Sequence, residues 1–165
     1  MKILTINLTS GETQTQEVSD PLVGGRLLTS QLVTKFVDPK IDPLSAKNVL
    51  VFASGPLANL RTSTGSRLSV GCKSPLTNGI KEANAGGMAG DSIAGLGYRA
   101  IVFLGAFPDG KKGLCLINET GVSFNFEEGQ HCWGKGNEET AQLLLEKYGK
   151  DNCIISIGQA GELVM

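Results

Sequence analysis

An α+β domain is what this sequence predicts: mixed or antiparallel sheets with a few helices. Three observations carry it. Residues 2–18 and 114–126 each read as two short strand-like segments around a glycine-bearing turn, the pattern of a hairpin. Residues 48–53 and 99–106 are apolar runs of the kind found in strands buried on both faces. The order hairpin, helix, strand recurs in 2–53 and 113–157, which suggests pseudo-duplicated units without residue-level identity.

Residues 2–8 form a strand with Leu4, Ile6 and Leu8 on one face. Thr9-Ser10-Gly11 turns the chain, and the polar segment 12–18 returns beside it. Asp20 suits an N-cap and Pro21 a first helical position, starting a helix that runs to about Val37 with Leu28, Leu32 and Phe36 on one stripe. Gly24-Gly25 weakens its first turn, which leaves a start after Gly25 as the alternative. Residues 48–53 make a central strand and 67–72 another. Residues 84–87 read as a loop, and 87–96 as a short helix of small residues stopped by Gly97. Residues 114–118 and 122–126 pair around Glu119-Thr120-Gly121. Residues 138–148 form an amphipathic helix closed by Gly149, with Leu144, Leu145 and Tyr148 inward. Residues 153–157 read as a final strand, and Leu163-Val164-Met165 as the start of one more.

Bulk properties narrow the function. The 165 residues suffice for one domain with a real core. A net charge of −1 provides no basic field for nucleic acid or a membrane surface. No apolar run approaches the ~20 residues of a membrane span, and the first residues lack the features of a signal peptide. Cys72, Cys115, Cys132 and Cys153 form no C-x-x-C pair, so neither a zinc ribbon nor a cluster motif is written here. Free thiols in the cytoplasm are the expectation.

Most of the chemistry lies in 54–105. Thr64-Gly65-Ser66-Arg67, Lys73-Ser74-Pro75-Leu76-Thr77 and Asn84-Ala85-Gly86-Gly87 are glycine-rich loops or strand ends that carry one arginine and one asparagine. Glycine lets backbone approach a ligand closely, backbone N–H groups bind anions, and arginine is the best planar donor to phosphate. Gly71-Cys72-Lys73-Ser74 is not a P-loop, because Cys72 separates glycine from lysine and Pro75 blocks the helix that a P-loop requires next. The 84–90 segment lacks the G-x-G-x-x-G spacing of a dinucleotide loop. His131 is the only histidine, and it reads as structural or exposed. Glu127, Glu128, Glu138 and Glu139 read as solvated, and Trp133 as a packing anchor. Arg67 and Asn84 read as ligand-binding residues. Their competing roles are a surface ion pair and a cap on the next helix.

A collinear series of strings strengthens this reading. Asn7-Leu8-Thr9-Ser10-Gly11, Gly24-Gly25-Arg26, Asp42-Pro43-Leu44-Ser45, Phe52-Ala53-Ser54-Gly55-Pro56-Leu57, Lys73-Ser74-Pro75-Leu76-Thr77, Ala83-Asn84-Ala85-Gly86-Gly87, Gly97-Tyr98-Arg99-Ala100-Ile101-Val102, Trp133-Gly134-Lys135 and Gly158-Gln159-Ala160-Gly161-Glu162 occur in order. Together they resemble the N-terminal domain of the tungsten-containing aldehyde:ferredoxin oxidoreductases across 1–165. That resemblance implies a sheet base for a tungsten or molybdenum bis-pterin cofactor, in an enzyme that oxidises aldehydes to carboxylic acids and passes electrons to ferredoxin. It matches Arg67 to an arginine between pterin and a nearby 4Fe–4S cluster. It matches Asn84 to the residue whose backbone carbonyl ligates a magnesium bridging the pterin phosphates. Ala85, Gly86 and Gly87 would meet the same phosphates through backbone N–H groups.

The same resemblance implies that the catalytic residues and cluster ligands lie outside this chain, in C-terminal domains or a partner subunit. A homodimer is compatible with it. Two departures stand out: Leu27 replaces a family glycine, and Glu162 meets Leu163 directly. They leave open a truncated or decayed non-catalytic module, acting as an assembly partner or a simple phosphate binder. The expectation is a domain truncated at its C-terminal end that by itself has no activity and binds no metal.

Overall fold

The computed structural model describes residues 1–163 and divides into two compact units, the first over Met1–Ala106 and the second beginning at Phe107. The first contains β1 (Lys2–Asn7), β2 (Thr13–Glu17), α1 (Gly25–Phe36), β3 (Val49–Ser54), β4 (Leu68–Lys73), β5 (Ile80–Ala85), α2 (Ala89–Gly95) and β6 (Tyr98–Leu104). Its six strands form one sheet in the order β2-β1-β6-β3-β4-β5. β1 and β6 pair in parallel and every other pair is antiparallel, so the sheet is mixed, as expected.

β6 and β3 are central because their sequences permit burial on both faces. Val49, Val51 and Ala53 of β3 join Ala100 and Val102 of β6 on one face, and Leu28, Leu32, Val33 and Val37 close over them. On the other face Leu4 and Ile101 sit side by side in register and are both buried. The α1 residues recur at helical spacing, which aims one stripe at the sheet.

α1 starts at Gly25, the later of the two starts that the sequence allows. Asp20 does not cap it. Instead the Asp20 carboxylate accepts the Leu22 N–H at 2.9 Å, and the chain turns before the helix begins. The sequence marks β5 only by a loop at its end, because Lys81 and Glu82 interrupt any apolar alternation. It is an exposed edge strand, and Asn84 and Ala85 are its last two residues, paired with Ser69 and Leu68. Edge strands need bury little, so their hydrophobic pattern is weak.

The second unit has a 3-10 turn at Pro108–Gly110, β7 (Leu114–Asn118), β8 (Gly121–Asn125), α3 (Phe126–Cys132), α4 (Asn137–Tyr148) and α5 (Gly158–Glu162). β7 and β8 form the expected hairpin, and Gly149 ends α4 with a φ of 104°. Three expectations fail here. Residues 153–157 are not a strand, so hairpin then helix recurs in this unit but the third member does not. Residues 126–132 are helical because Asn125 caps them, its Oδ1 accepting the Glu128 N–H. His131 and Cys132 are therefore successive helical residues. Glu128 is not solvated, since its carboxylate pairs with Lys147, and Glu139 pairs with Lys135 at 2.7 Å. Leu163 is the C-cap of α5, and the strand expected at 163–165 falls largely outside the described residues.

α1 seats closely on the sheet. Gly71 leaves room for Thr29: a Cβ built at Gly71 would fall 2.1 Å from the Thr29 methyl. The buried Thr29 hydroxyl lies 3.1 Å from Ser69 Oγ, and Ser69 Oγ donates to Glu82 Oε1 at 2.6 Å. Arg26 Nε donates to the other oxygen of Glu82 at 3.0 Å. This network joins α1, β4 and β5. The Ser69 hydroxyl foremost, then Arg26 and the Asn84 amide, hold the Glu82 carboxyl below its usual value, against the opposing effect of burial.

Gly71→Ala should destabilise the chain by about 1–3 kcal/mol through overpacking against Thr29, read as a lower urea midpoint. An unchanged midpoint would show that α1 can lift freely from β4. Glu82 gives a pH prediction. Its folded-state pKa is depressed, so its contribution is present above the unfolded value near 4.5 and is lost as pH falls through the lower folded value. The stability gap between wild type and Glu82→Gln should be widest near neutrality and close in acid. A gap independent of pH would remove the carboxylate from this role.

Candidate functional site

The strand directions gather the candidate residues at one end of the first sheet. β3 and β5 end there, β4 and β6 begin there, and α1 and α2 also start there. The loops between them approach closely. A Cβ on Gly24 would meet the Ser54 carbonyl at 2.7 Å, and one on Gly90 would meet the Ser66 carbonyl at 2.4 Å. Gly55 lies beside both Gly25 and Gly65, each at 3.9 Å by the same construction. Backbone, rather than side chains, therefore makes much of this surface.

Arg67 and the 84–87 segment, the two candidates from the sequence, meet at this end. Leu68 pairs with Ala85, so Arg67 and Gly86 extend the β4–β5 ladder by one step. Among the described residues, the only atom within 4 Å of a Cβ built on Gly86 is Arg67 Nη1, at 4.0 Å. Gly87 has a φ of +103° and nothing within 4 Å of such a Cβ. Arg67, Asn84, Ala85, Gly86 and Gly87 are all exposed. Arg67 has no carboxylate within 4 Å among the described residues, and no side chain caps α2, whose N-cap is Met88. Neither competing role, ion pair or helix cap, is formed.

These groups define what could bind here. Gly86 and Gly87 present bare backbone beside a free guanidinium, which suits a phosphate-bearing ligand. The Asn84 amide is among the groups that hold the Glu82 carboxyl low. Among the described residues no three His, Cys, Asp or Glu side chains gather as a metal site. The four cysteines are free and half-buried, and burial pushes the Cys115 thiol up to about 11. No helix among the described residues is long and apolar enough to cross a membrane.

Sequence reasoning misses two contributors. Gly90 keeps α2 against the Arg67 loop, and its signal is its place in the small-residue run 85–90. Arg99 reads in the sequence only as part of a strand. Its guanidinium Nη1 donates to the Gly55 carbonyl at 2.5 Å, joining β6 to the loop after β3. The loop from 57 to 64 also has three non-glycine residues at positive φ: Asn59, Arg61 and Thr64. Asp91 steadies it by accepting the Asn59 N–H at 2.6 Å.

In the second unit, two of the collinear strings meet. Glu162 accepts the Gly134 N–H at 2.8 Å, and Gln159 Nε2 donates to the Gly134 carbonyl at 2.7 Å. Trp133 is partly exposed, with the Lys112 ammonium 3.9 Å from its ring centroid.

The chain is similar to known proteins in sequence and in fold. The tungsten-containing aldehyde ferredoxin oxidoreductase of Pyrococcus furiosus is 36% identical over 166 residues, and that of Pyrococcus horikoshii 38% over 169. Each alignment covers 98% of this chain but 27% of the relative, so the chain spans about a quarter of their length. Among solved structures, the active-site complex BamBC of benzoyl coenzyme A reductase with 1,5-dienoyl-CoA matches with a TM-score of 0.80 and 27% identity. That match covers 89% of this chain and 22% of the other. Residues 3–165 also match the family model for the aldehyde ferredoxin oxidoreductase N-terminal domain, and the chain belongs to that family.

Proposed function

We propose that this domain is the cofactor cradle of a tungsten, or molybdenum, bis-pterin oxidoreductase that oxidises aldehydes to carboxylic acids with ferredoxin as acceptor. The observation that carries the reading is the meeting of a free Arg67 guanidinium with the open backbone of Gly86 and Gly87. The names of the relatives support tungsten and the oxidoreductase class. The remaining catalytic parts, including a 4Fe–4S cluster, belong to C-terminal domains or a partner subunit, and the enzyme works in the cytoplasm.

The residues present fit such a group. A planar ligand with a phosphate can approach Gly86 and Gly87 without meeting a side chain. Arg67 donates to it with a charge that no carboxylate neutralises. The Asn84 carbonyl, near the end of edge strand β5, would help to hold a magnesium ion. The bound cofactor supplies the redox chemistry, while this chain binds and orients it.

The test uses the complete enzyme, with pterin phosphorus, magnesium and tungsten measured per chain. Gly86→Val and Gly87→Val should abolish cofactor retention. Asn84→Asp should keep a good part of it, because the backbone oxygen is unchanged and an added carboxylate is tolerated beside a cation. Arg67→Ala should lower cofactor occupancy or electron transfer with little change in melting temperature, since an exposed arginine adds little to stability. A charge-assisted hydrogen bond of about 1.5–3 kcal/mol corresponds to roughly tenfold or more in affinity. Cofactor-replete Gly→Val variants would make the loop a mere connector. A complete protein that never carries cofactor would favour the non-catalytic module.

A further inference from the structure

The second unit is thinly packed. Among the described residues its only buried apolar side chain is Leu144, whereas the first unit holds a cluster of them around β3 and β6. Its strands among those residues are β7 and β8, and no residue of either is buried. A lone two-stranded hairpin is marginal in water, and a third strand is what makes such a sheet stable. The sequence Cys153-Ile154-Ile155-Ser156-Ile157 has the β-branched side chains of a strand. Yet no backbone N–H or carbonyl of 153–156 pairs with another backbone group among the described residues. Ile155 is 53% exposed and Ile157 65%.

Other surface apolar groups of this unit are partly answered from within it. The Lys111 ammonium lies 5.7 Å from the Phe126 ring centroid, and Lys112 lies over Trp133. The 153–157 segment differs because it exposes apolar side chains and unpaired backbone together. Covering the isoleucines with a lipid surface or an apolar small molecule would strip water from those backbone groups and give them no partner. An added β-strand covers the side chains and bonds the backbone at once. The two features therefore select the same kind of occupant.

We propose that residues 153–157 are a docking strand, and that in the complete protein a β-strand from the polypeptide following residue 165 pairs with them and lays apolar side chains beside Ile155 and Ile157. The chain matches an N-terminal domain and covers 27% of its relatives, so in proteins of that length most of the polypeptide follows it. That polypeptide also starts close by. Only α5, the five residues Gly158–Glu162, separates Ile157 from Leu163, a connection of the length that commonly joins neighbouring elements. A tethered strand is present at high effective concentration, whereas a second copy of the chain would lose the freedom of a separate molecule on binding. The proposal rests on the reading of this chain as the N-terminal part of a longer enzyme. It does not depend on the 84–87 loop being a cofactor cradle.

The experiment uses the complete protein and two readouts. Amide hydrogen exchange at 153–157 is expected to be slowed to the level of the central strand β3, since paired strand amides open only with their sheet. The double variant Ile155→Asp, Ile157→Asp should lose that slowing at 153–157 while β3 keeps its own. Exchange at 153–157 as fast as in an unprotected peptide, or slow exchange unchanged in the double variant, would overturn the proposal. The second readout identifies the occupant. A photo-reactive p-benzoylphenylalanine placed at position 155 should cross-link within the same polypeptide to a residue beyond 165. Cross-linking to a second copy, to another protein, only to residues before 165, or to nothing would overturn it. Loss of cofactor from the 84–87 loop with 153–157 still protected would count against the cradle and leave the docking strand standing.

Discussion

The close seating of α1 on the sheet governs the first unit. Gly71 admits Thr29 to within contact of β4, Thr29 lies against Ser69, and Ser69 donates to Glu82. Each step depends on the one before. Without the space at Gly71 the helix would stand off, and the Ser69 and Glu82 oxygens would lose buried partners, a loss larger than the bonds themselves add. Glu82 is the last link, and it lies on β5, two residues before Asn84. An edge strand with little apolar surface is thereby held by a polar network rather than by packing. Its end, where the candidate cofactor loop begins, inherits that position.

The other end of the network is Arg26, next to the glycines at the start of α1. The same carboxylate thus ties edge strand β5 to the start of α1. Three further contacts keep the loops around them compact. Arg99 links β6 to Gly55 and Pro21, Gly90 sets α2 against Ser66, and Asp91 holds the 57–64 loop through Asn59. None of these groups need touch a ligand. They put backbone N–H groups and the Arg67 guanidinium where a ligand could reach them, the preorganisation that binding sites require. At the opposite end of the sheet, the Lys73 ammonium donates to the carbonyls of Pro39 and Ile41. The lysine that superficially resembles a P-loop residue is thus a structural staple.

The strings that mark the family in sequence are far apart along the chain, yet several are joined by direct contacts. Asn48 Nδ2 donates to both the Pro43 and Lys73 carbonyls, linking Asp42-Pro43-Leu44-Ser45 to Lys73-Ser74-Pro75-Leu76-Thr77. Arg99 links Gly97–Val102 to Phe52–Leu57. Within the second unit, Gln159 and Glu162 hold Gly134. A recurrent string in such a protein can therefore mark a contact between segments as readily as a ligand-binding group. Among the described residues, Arg67, Gly86 and Gly87 have no protein partner that would account for them.

The mixed α+β class, the two hairpins, α1, α4 and the buried strands β3 and β6 are legible in the sequence. Each of these carries a strong local signal: hydrophobic period, turn glycines, or an unbroken apolar run. The sequence also shows the family, because nine weak strings in order are collectively specific, and it names Arg67 and 84–87 from chemistry that glycine and arginine carry in any context. The rest depends on contacts between segments distant along the chain. β5 exists because β4 offers a free edge, not because Lys81-Glu82 favours a strand. Residues 153–157 have strand-forming side chains but remain unpaired, since a strand exists only where another chain segment accepts its hydrogen bonds. Asp20, which local rules make a helix cap, instead closes a turn before the helix. Arg99, unremarkable within an apolar run, becomes a buried unmatched cation because the fold lays two loops over it. Local pattern fixes what a segment can be. Pairing, burial and charge balance are properties of partners distant in sequence, and those only the folded chain supplies.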